Sequence, residues 1–108
     1  MKSTSQAFVL EAPERGHFRE FTIPDIGPDS ILMEVEMCGI CYGGDGGPYR
    51  GTHPHARYPL ILGHEMIGRV AAIGEEAAEK RKLQVGDRFL PEVLIPCWQC
   101  PMCHRGVY

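Results

Sequence analysis

Cys97, Cys100 and Cys103 stand at strict three-residue intervals near the end of this 108-residue chain. Three thiolates on one short loop can converge on a single zinc ion, whose closed structural sites take four ligands in a tetrahedron. No fourth cysteine follows before Tyr108, so the spacing predicts a metal site cut short of its ligand set. A second group lies earlier, with Gly39-Ile40-Cys41 ending one strand-like run and Gly63-His64-Glu65 interrupting another. A thiol and an imidazole at the mouths of two neighbouring strands can reach one borderline-soft cation, and the adjacent carboxylate can ligate it or orient bound water. From residue types alone, Cys41 as a small buried hydrophobe and His64 as a hydrogen-bonded core histidine is the simpler reading.

The elements that must position these residues are short. Thirteen glycines and nine prolines divide the chain into runs of strand-like composition. Ala7 to Leu10 and His17 to Ile23 read as strands joined by a turn over Pro13 to Gly16. In Ile31 to Met37 the residues Met33, Val35 and Met37 share one side and Glu34 and Glu36 the other, the period-two mark of a half-buried strand. Leu60 to Ile73 reads as one strand bending at Gly63 and Gly68. Val85-Gly86-Asp87-Arg88 places a turn before a further strand running to Ile95, where Pro96 delivers the chain into the cysteine loop. Residues 75–82 predict two turns of helix and 39–44 one. The pattern is that of a mainly antiparallel β domain, barrel-like, with one or two short helices.

Composition narrows the function. At 44% hydrophobic and 23% charged residues the chain is an ordinary globular domain. Its net charge of −3, with no run of lysine or arginine, excludes the basic face that nucleic acid or an anionic membrane requires. Met1 to Leu10 holds one lysine and no long apolar stretch, so neither a secretory signal nor a membrane span is expected, and the cytoplasm is the predicted location. In that reducing compartment five cysteines read as metal ligands or redox groups and not as a disulfide framework.

Four segments together resemble the zinc-dependent medium-chain alcohol dehydrogenases. They are Cys38-Gly39-Ile40-Cys41, Tyr58 to Val70 with its Gly63-His64-Glu65 core, Val85-Gly86-Asp87-Arg88, and the Cys97, Cys100, Cys103 series, in the family's order and spacing. The resemblance implies the N-terminal part of a catalytic domain over residues 1–108, with a GroES-like, partly open β-barrel that is incomplete at its C-terminal end. It also implies that Cys41 and His64 ligate a catalytic zinc with Glu65 beside them, and that Cys97, Cys100 and Cys103 are three of four ligands of a structural zinc. In such enzymes zinc polarises a carbonyl or activates an alcohol, and hydride passes to or from NAD or NADP held on a separate Rossmann domain.

Several features depart from that pattern or stand outside it. The family's fourth structural cysteine would fall beyond Tyr108, as would a further catalytic-zinc ligand and the glycine-rich cofactor fingerprint, so this chain alone is expected not to transfer hydride. The serine or threonine and the histidine that relay the substrate proton in the family are replaced here by Gly43 and Gly46, leaving water, Asp45, His53 or His55 for that task. Gly43 to Gly47 lacks the strand-to-helix context of a phosphate loop and reads as a flexible turn. Cys38 and Cys41 form a C-x-x-C pair, but glycines and Pro48 are expected to break the helix a redox dithiol needs, so Cys38 reads as a strand residue packed inside. His17, His53 and His55 read as exposed, and Trp98 as a partly exposed packing residue. A stand-alone zinc module pairing Cys38 and Cys41 with Cys97 and Cys100 is the competing function, although 55 residues separate the pairs where ribbons keep about 15 to 20. An oligomeric scaffold without metal would leave Gly63-His64-Glu65 unexplained. An incomplete barrel predicts open strand edges and self-association.

Overall fold

A computed structural model describes residues 2–108. The chain forms β1 (Thr4–Ala12), β2 (Arg15–Thr22), β3 (Ile31–Gly39), α1 (Tyr42–Arg50), β4 (Leu60–Ile61), β5 (Glu65–Ile73), α2 (Glu75–Arg81), β6 (Arg88–Phe89) and α3 (Pro101–His104). Two three-stranded antiparallel sheets result, in the orders β2-β1-β4 and β3-β5-β6. The expected mainly β architecture is present, with its sheets left unclosed, and among the described residues three short helices stand where one or two were predicted. Among the described residues no helix is long and apolar enough to cross a membrane.

The run from Leu60 to Ile73 is two strands and not one bent strand. Leu60 and Ile61 pair with Leu10 and Val9 of β1, whereas Glu65 to Ile73 pairs with β3 in the other sheet. The switch falls at Gly63, whose φ of +119° is open to glycine and strained for other residues. The strand expected to reach Ile95 is only Arg88–Phe89, since Pro91 and Pro96 carry no N–H to continue a ladder.

Helix α1 overturns the reading of Gly43 to Gly47 as a flexible, helix-breaking turn. Cys41 caps it, its Sγ accepting from Gly44 N at 3.4 Å, and the Asp45 carboxylate accepts from Cys41 N at 2.9 Å. Gly51 ends it in the left-handed region. Outside contacts add to these caps: Glu14 N donates to Tyr49 O at 2.8 Å, and the Tyr58 hydroxyl donates to Pro48 O. The guanidinium of Arg50 lies 5.1 Å from the centre of the Tyr42 ring. Tertiary anchoring thus outweighs the poor propensity of four glycines.

The core is thin. Val9 and Leu10 of β1, Val70 of β5 and Ala77 of α2 are buried, and the molecule measures 41 × 41 × 21 Å. The face of β3 expected to be half-buried is so only at Met33; Val35 is 52% exposed and Met37 70%. Register shifts between Leu32 and Met33 and between Val35 and Met37 interrupt the alternation on which that expectation rested. A trough of about 970 Å³ lies between the sheets, with Phe21, Ile23, Met33, Val35 and Ile61 among its walls.

One carboxylate fastens the second sheet across all three strands. Glu36 of β3 receives Arg69 Nε of β5 at 2.8 Å and Arg88 Nε of β6 at 2.7 Å, while Arg69 Nη1 also donates to Gly86 O at 2.9 Å. The hydrogen bond from Arg88, seconded by Arg69, holds the Glu36 carboxyl below its ordinary value of 4.5. A carboxylate depressed in the folded state contributes stability above the unfolded value and loses it as pH falls through the folded one. Glu36→Gln is therefore expected to lower the melting temperature slightly at neutral pH and to flatten its fall on acidification below pH 4.5. Melting curves of the two proteins that stay parallel through the acid limb would contradict this.

Candidate functional site

The pairing of β3 with β5 ends at Gly39 opposite Glu65. Two residues beyond that last pair, Cys41 begins α1, and one residue before it, His64 follows the turn at Gly63. A Cβ on Gly63 would lie 2.9 Å from Cys38 Sγ, so close packing and positive φ both require glycine there. The outcome is convergence: one ligand atom each from Cys41, His64 and Glu65 lie within 4.8 Å of one another. This is the trio expected from the sequence, drawn from the ends of two adjacent strands.

Behind the trio sits Asp45, which sequence reading considered only as a proton carrier. It is buried. One oxygen accepts from Cys41 N at 2.9 Å, and the other lies 3.3 Å from His64 Nδ1. A histidine ligand is commonly oriented by a carboxylate near one ring nitrogen, which leaves the other nitrogen for a metal, and Asp45 stands near Nδ1 in that way. The signal was a single acid in a run of glycines shortly after Cys41, legible only once the segment is known to be a helical first turn.

The second trio forms a separate knuckle. The ligand atoms of Cys97, Cys100 and Cys103 also lie within 4.8 Å of one another, with Cys97 Sγ and Cys103 Sγ 3.6 Å apart. Backbone amides point at the sulfurs: Cys100 N donates to Cys97 Sγ at 3.3 Å and Cys103 N to Cys100 Sγ at 3.4 Å. Trp98, at φ 61°, makes the tight bend between the first two cysteines, and its ring meets Tyr108 edge-on at 5.6 Å. His104 is exposed at the end of α3 and is not one of the three grouped side chains.

The other candidates lie outside both groups. Cys38, expected inside, is exposed, its Sγ directed to Gly39 O at 3.6 Å. The buried apolar residues lie on β1, β5 and α2, not at that end of β3. His53 and His55 are exposed loop residues with rings 6.0 Å apart, and His17 is exposed on β2 near Glu11. All five cysteines are free thiols.

The backbone N–H groups of Gln99 and Cys100, followed by the neighbouring thiols, hold Cys97 down to about 7 from its ordinary 9.0. Thiolate is the form that reacts with an alkylating agent. In metal-free protein the alkylation rate at Cys97 should therefore rise through about pH 7, and Cys97→Ser should remove that component. Peptide mass spectrometry across a pH series checks it; a component with that midpoint surviving the substitution would refute the assignment.

Comparison with known proteins identifies the family. The family model of the alcohol dehydrogenase GroES-like domain matches residues 27–108. An uncharacterized zinc-type alcohol dehydrogenase-like protein of Haemophilus influenzae is 40% identical over 106 residues, covering 98% of this chain and 30% of the relative. The erythritol/L-threitol dehydrogenase of Mycolicibacterium smegmatis is 36% identical, covering 95% of this chain and 31% of that protein. Among solved structures, the alcohol dehydrogenase of Thermus sp. ATN1 superposes with a TM-score of 0.78 at 37% identity, over 96% of this chain and 29% of that one. An Escherichia coli alcohol dehydrogenase complexed with NADH gives a TM-score of 0.81 at 31% identity, over 97% and 29%. The chain thus spans about three-tenths of the length of these relatives. Its matched residues, the two unclosed sheets and the placement of Cys41, His64 and Glu65 agree in one conclusion: the chain belongs to the zinc-type alcohol dehydrogenases that carry a GroES-like domain.

Proposed function

We propose that residues 1–108 are the N-terminal, metal-holding part of the GroES-like catalytic domain of a zinc-dependent alcohol or polyol dehydrogenase. The Rossmann domain that binds NAD or NADP lies outside this chain. The observation that carries the reading is the convergence of Cys41, His64 and Glu65 with Asp45 buried behind them. Thiolate, imidazole and carboxylate are a donor set suited to zinc, and the mutual distances fit one ion. Zinc held there supplies Lewis acidity toward a small alcohol or its carbonyl product.

The residues of this chain divide the remaining work. Asp45 fixes the His64 ring and, through Cys41 N, the start of α1. The substrate proton finds no side-chain acceptor at Gly43 or Gly46, Asp45 already accepts from Cys41 N, and His53 and His55 are exposed loop residues outside the trio, so water is its route. Cys97, Cys100 and Cys103, whose ligand atoms lie within 4.8 Å of one another, would hold a second, structural zinc. Without the nicotinamide-binding half, these residues alone transfer no hydride. Free thiols and a net charge of −3 support a cytoplasmic protein whose ligands are small molecules.

Cobalt(II) titration followed by visible spectroscopy tests the reading. Two sites are expected; Cys41→Ala or His64→Ala should abolish one and spare the other, and Cys100→Ala should do the reverse. One tight site lost with both Cys41→Ala and Cys100→Ala would instead establish a stand-alone zinc module without catalysis. Open edges at β2, β3, β4 and β6 and exposed Met37, Leu90 and Val93 also support self-association. Sedimentation velocity should show dimers or larger species as concentration rises, and a monomer throughout would refute it.

A further inference from the structure

Four glycines fall within α1, and they are not equivalent. A Cβ added at Gly43 meets nothing within 4 Å; at Gly46 it meets only the far end of the Arg50 guanidinium at 3.0 Å; at Gly47 it makes ordinary contact with His53 Cβ at 3.4 Å. At Gly44 it would lie 2.4 Å from His64 Cε1, 2.9 Å from Nε2 and 3.4 Å from Nδ1. The imidazole lies directly against the first turn of the helix, in the space where any other residue would carry its side chain.

We infer that Gly44 is a positioning residue of the metal site, its missing side chain forming the seat of the His64 ring. The inference rests on the proposed zinc reading for its consequence, although the seat itself is a matter of packing. Relieving a 2.4 Å contact requires the ring to move about 1 Å to reach normal carbon separation. His64 has little freedom to do so. Asp45 Oδ1 stands 3.3 Å from its Nδ1, and its ligand atom lies within 4.8 Å of those of Cys41 and Glu65. A displaced ring gives up the carboxylate that orients it or the distance to its fellow ligands. Alanine at this position keeps the backbone N–H that Gly44 donates to Cys41 Sγ, so Gly44→Ala isolates the effect of the added methyl group. Gly43→Ala is the matched control, one residue away in the same helix and facing open space.

Two measurements decide it. In cobalt(II) titrations, Gly43→Ala should match the wild type at the site that Cys41→Ala removes, whereas Gly44→Ala should bind there about 10-fold more weakly or worse, the scale on which groups that orient a ligand act. Its visible d–d band should shift as well, which a general loss of stability would not produce. In metal-free thermal unfolding, Gly44→Ala should lower the melting temperature when His64 is present and should not when His64→Ala is already in place, because alanine is then only the better helix former. Should Gly44→Ala alone fail to fold, the double variant with His64→Ala is expected to fold. Wild-type affinity and spectrum in Gly44→Ala, or an equal loss of stability in both backgrounds, would overturn the inference. A wild-type protein that takes no cobalt at Cys41, His64 and Glu65 would instead refute the zinc reading, and the unfolding comparison would still decide whether the ring is seated on Gly44.

Discussion

Antiparallel pairing of β3 with β5 runs from Ile31 opposite Ile73 to Gly39 opposite Glu65, and the chain leaves this ladder at the end where the candidate ligands Cys41, His64 and Glu65 gather. Cys41 and His64 are far apart in sequence, and the ladder makes them neighbours. Because side chains alternate along a strand, a slip of one residue would turn the Glu65 side chain to the opposite face of the sheet. The Glu36 clamp on Arg69 and Arg88 guards against that slip, since its reach across three strands is satisfied in one register. An exposed ion-pair cluster of this kind adds little to stability on its own; its importance here is geometric.

Asp45 then converts proximity into orientation. A buried carboxylate is costly unless it is partnered; this one accepts a hydrogen bond from Cys41 N on one oxygen and has His64 Nδ1 3.3 Å from the other. The contacts that satisfy Asp45 are the contacts that aim the two candidate ligands. The same carboxylate sits in the first turn of α1, where the positive end of the helix dipole favours a negative charge. Helix, ligand and orienting group are therefore one cooperative unit, which accounts for a helix forming from so glycine-rich a segment.

Much of the site was legible in the sequence because its signals are local. The intervals of Cys97, Cys100 and Cys103 and the Gly63-His64-Glu65 triplet depend on spacing alone, and both groups assemble as expected. The β1–β2 hairpin and α2 were legible for the same reason, the latter carrying Glu75 and Glu76 in its first turn and Lys80 and Arg81 in its last. What failed depended on distant contacts. Helix α1 exists through its caps and through Glu14 and Tyr58, none of which its own composition announces. The apolar side of β3 reads as half-buried, yet whether Val35, Met37 or Cys38 is covered depends on bulges and on a packing layer, not on the strand. Leu60 to Ile73 looks continuous because hydrophobicity does not record the change of sheet at Gly63.

The edge-on contact between Trp98 and Tyr108 has an optical meaning. Trp98 is the only tryptophan of the chain, and it stands between two cysteines of the knuckle with its ring exposed on one side and held by Tyr108 on the other. Emission excited at the red edge of its absorption, where tyrosine is silent, comes wholly from this corner of the molecule. The indole is a resident lamp at the cysteine loop, and a change in its contact with Tyr108 alters the colour and brightness of its light.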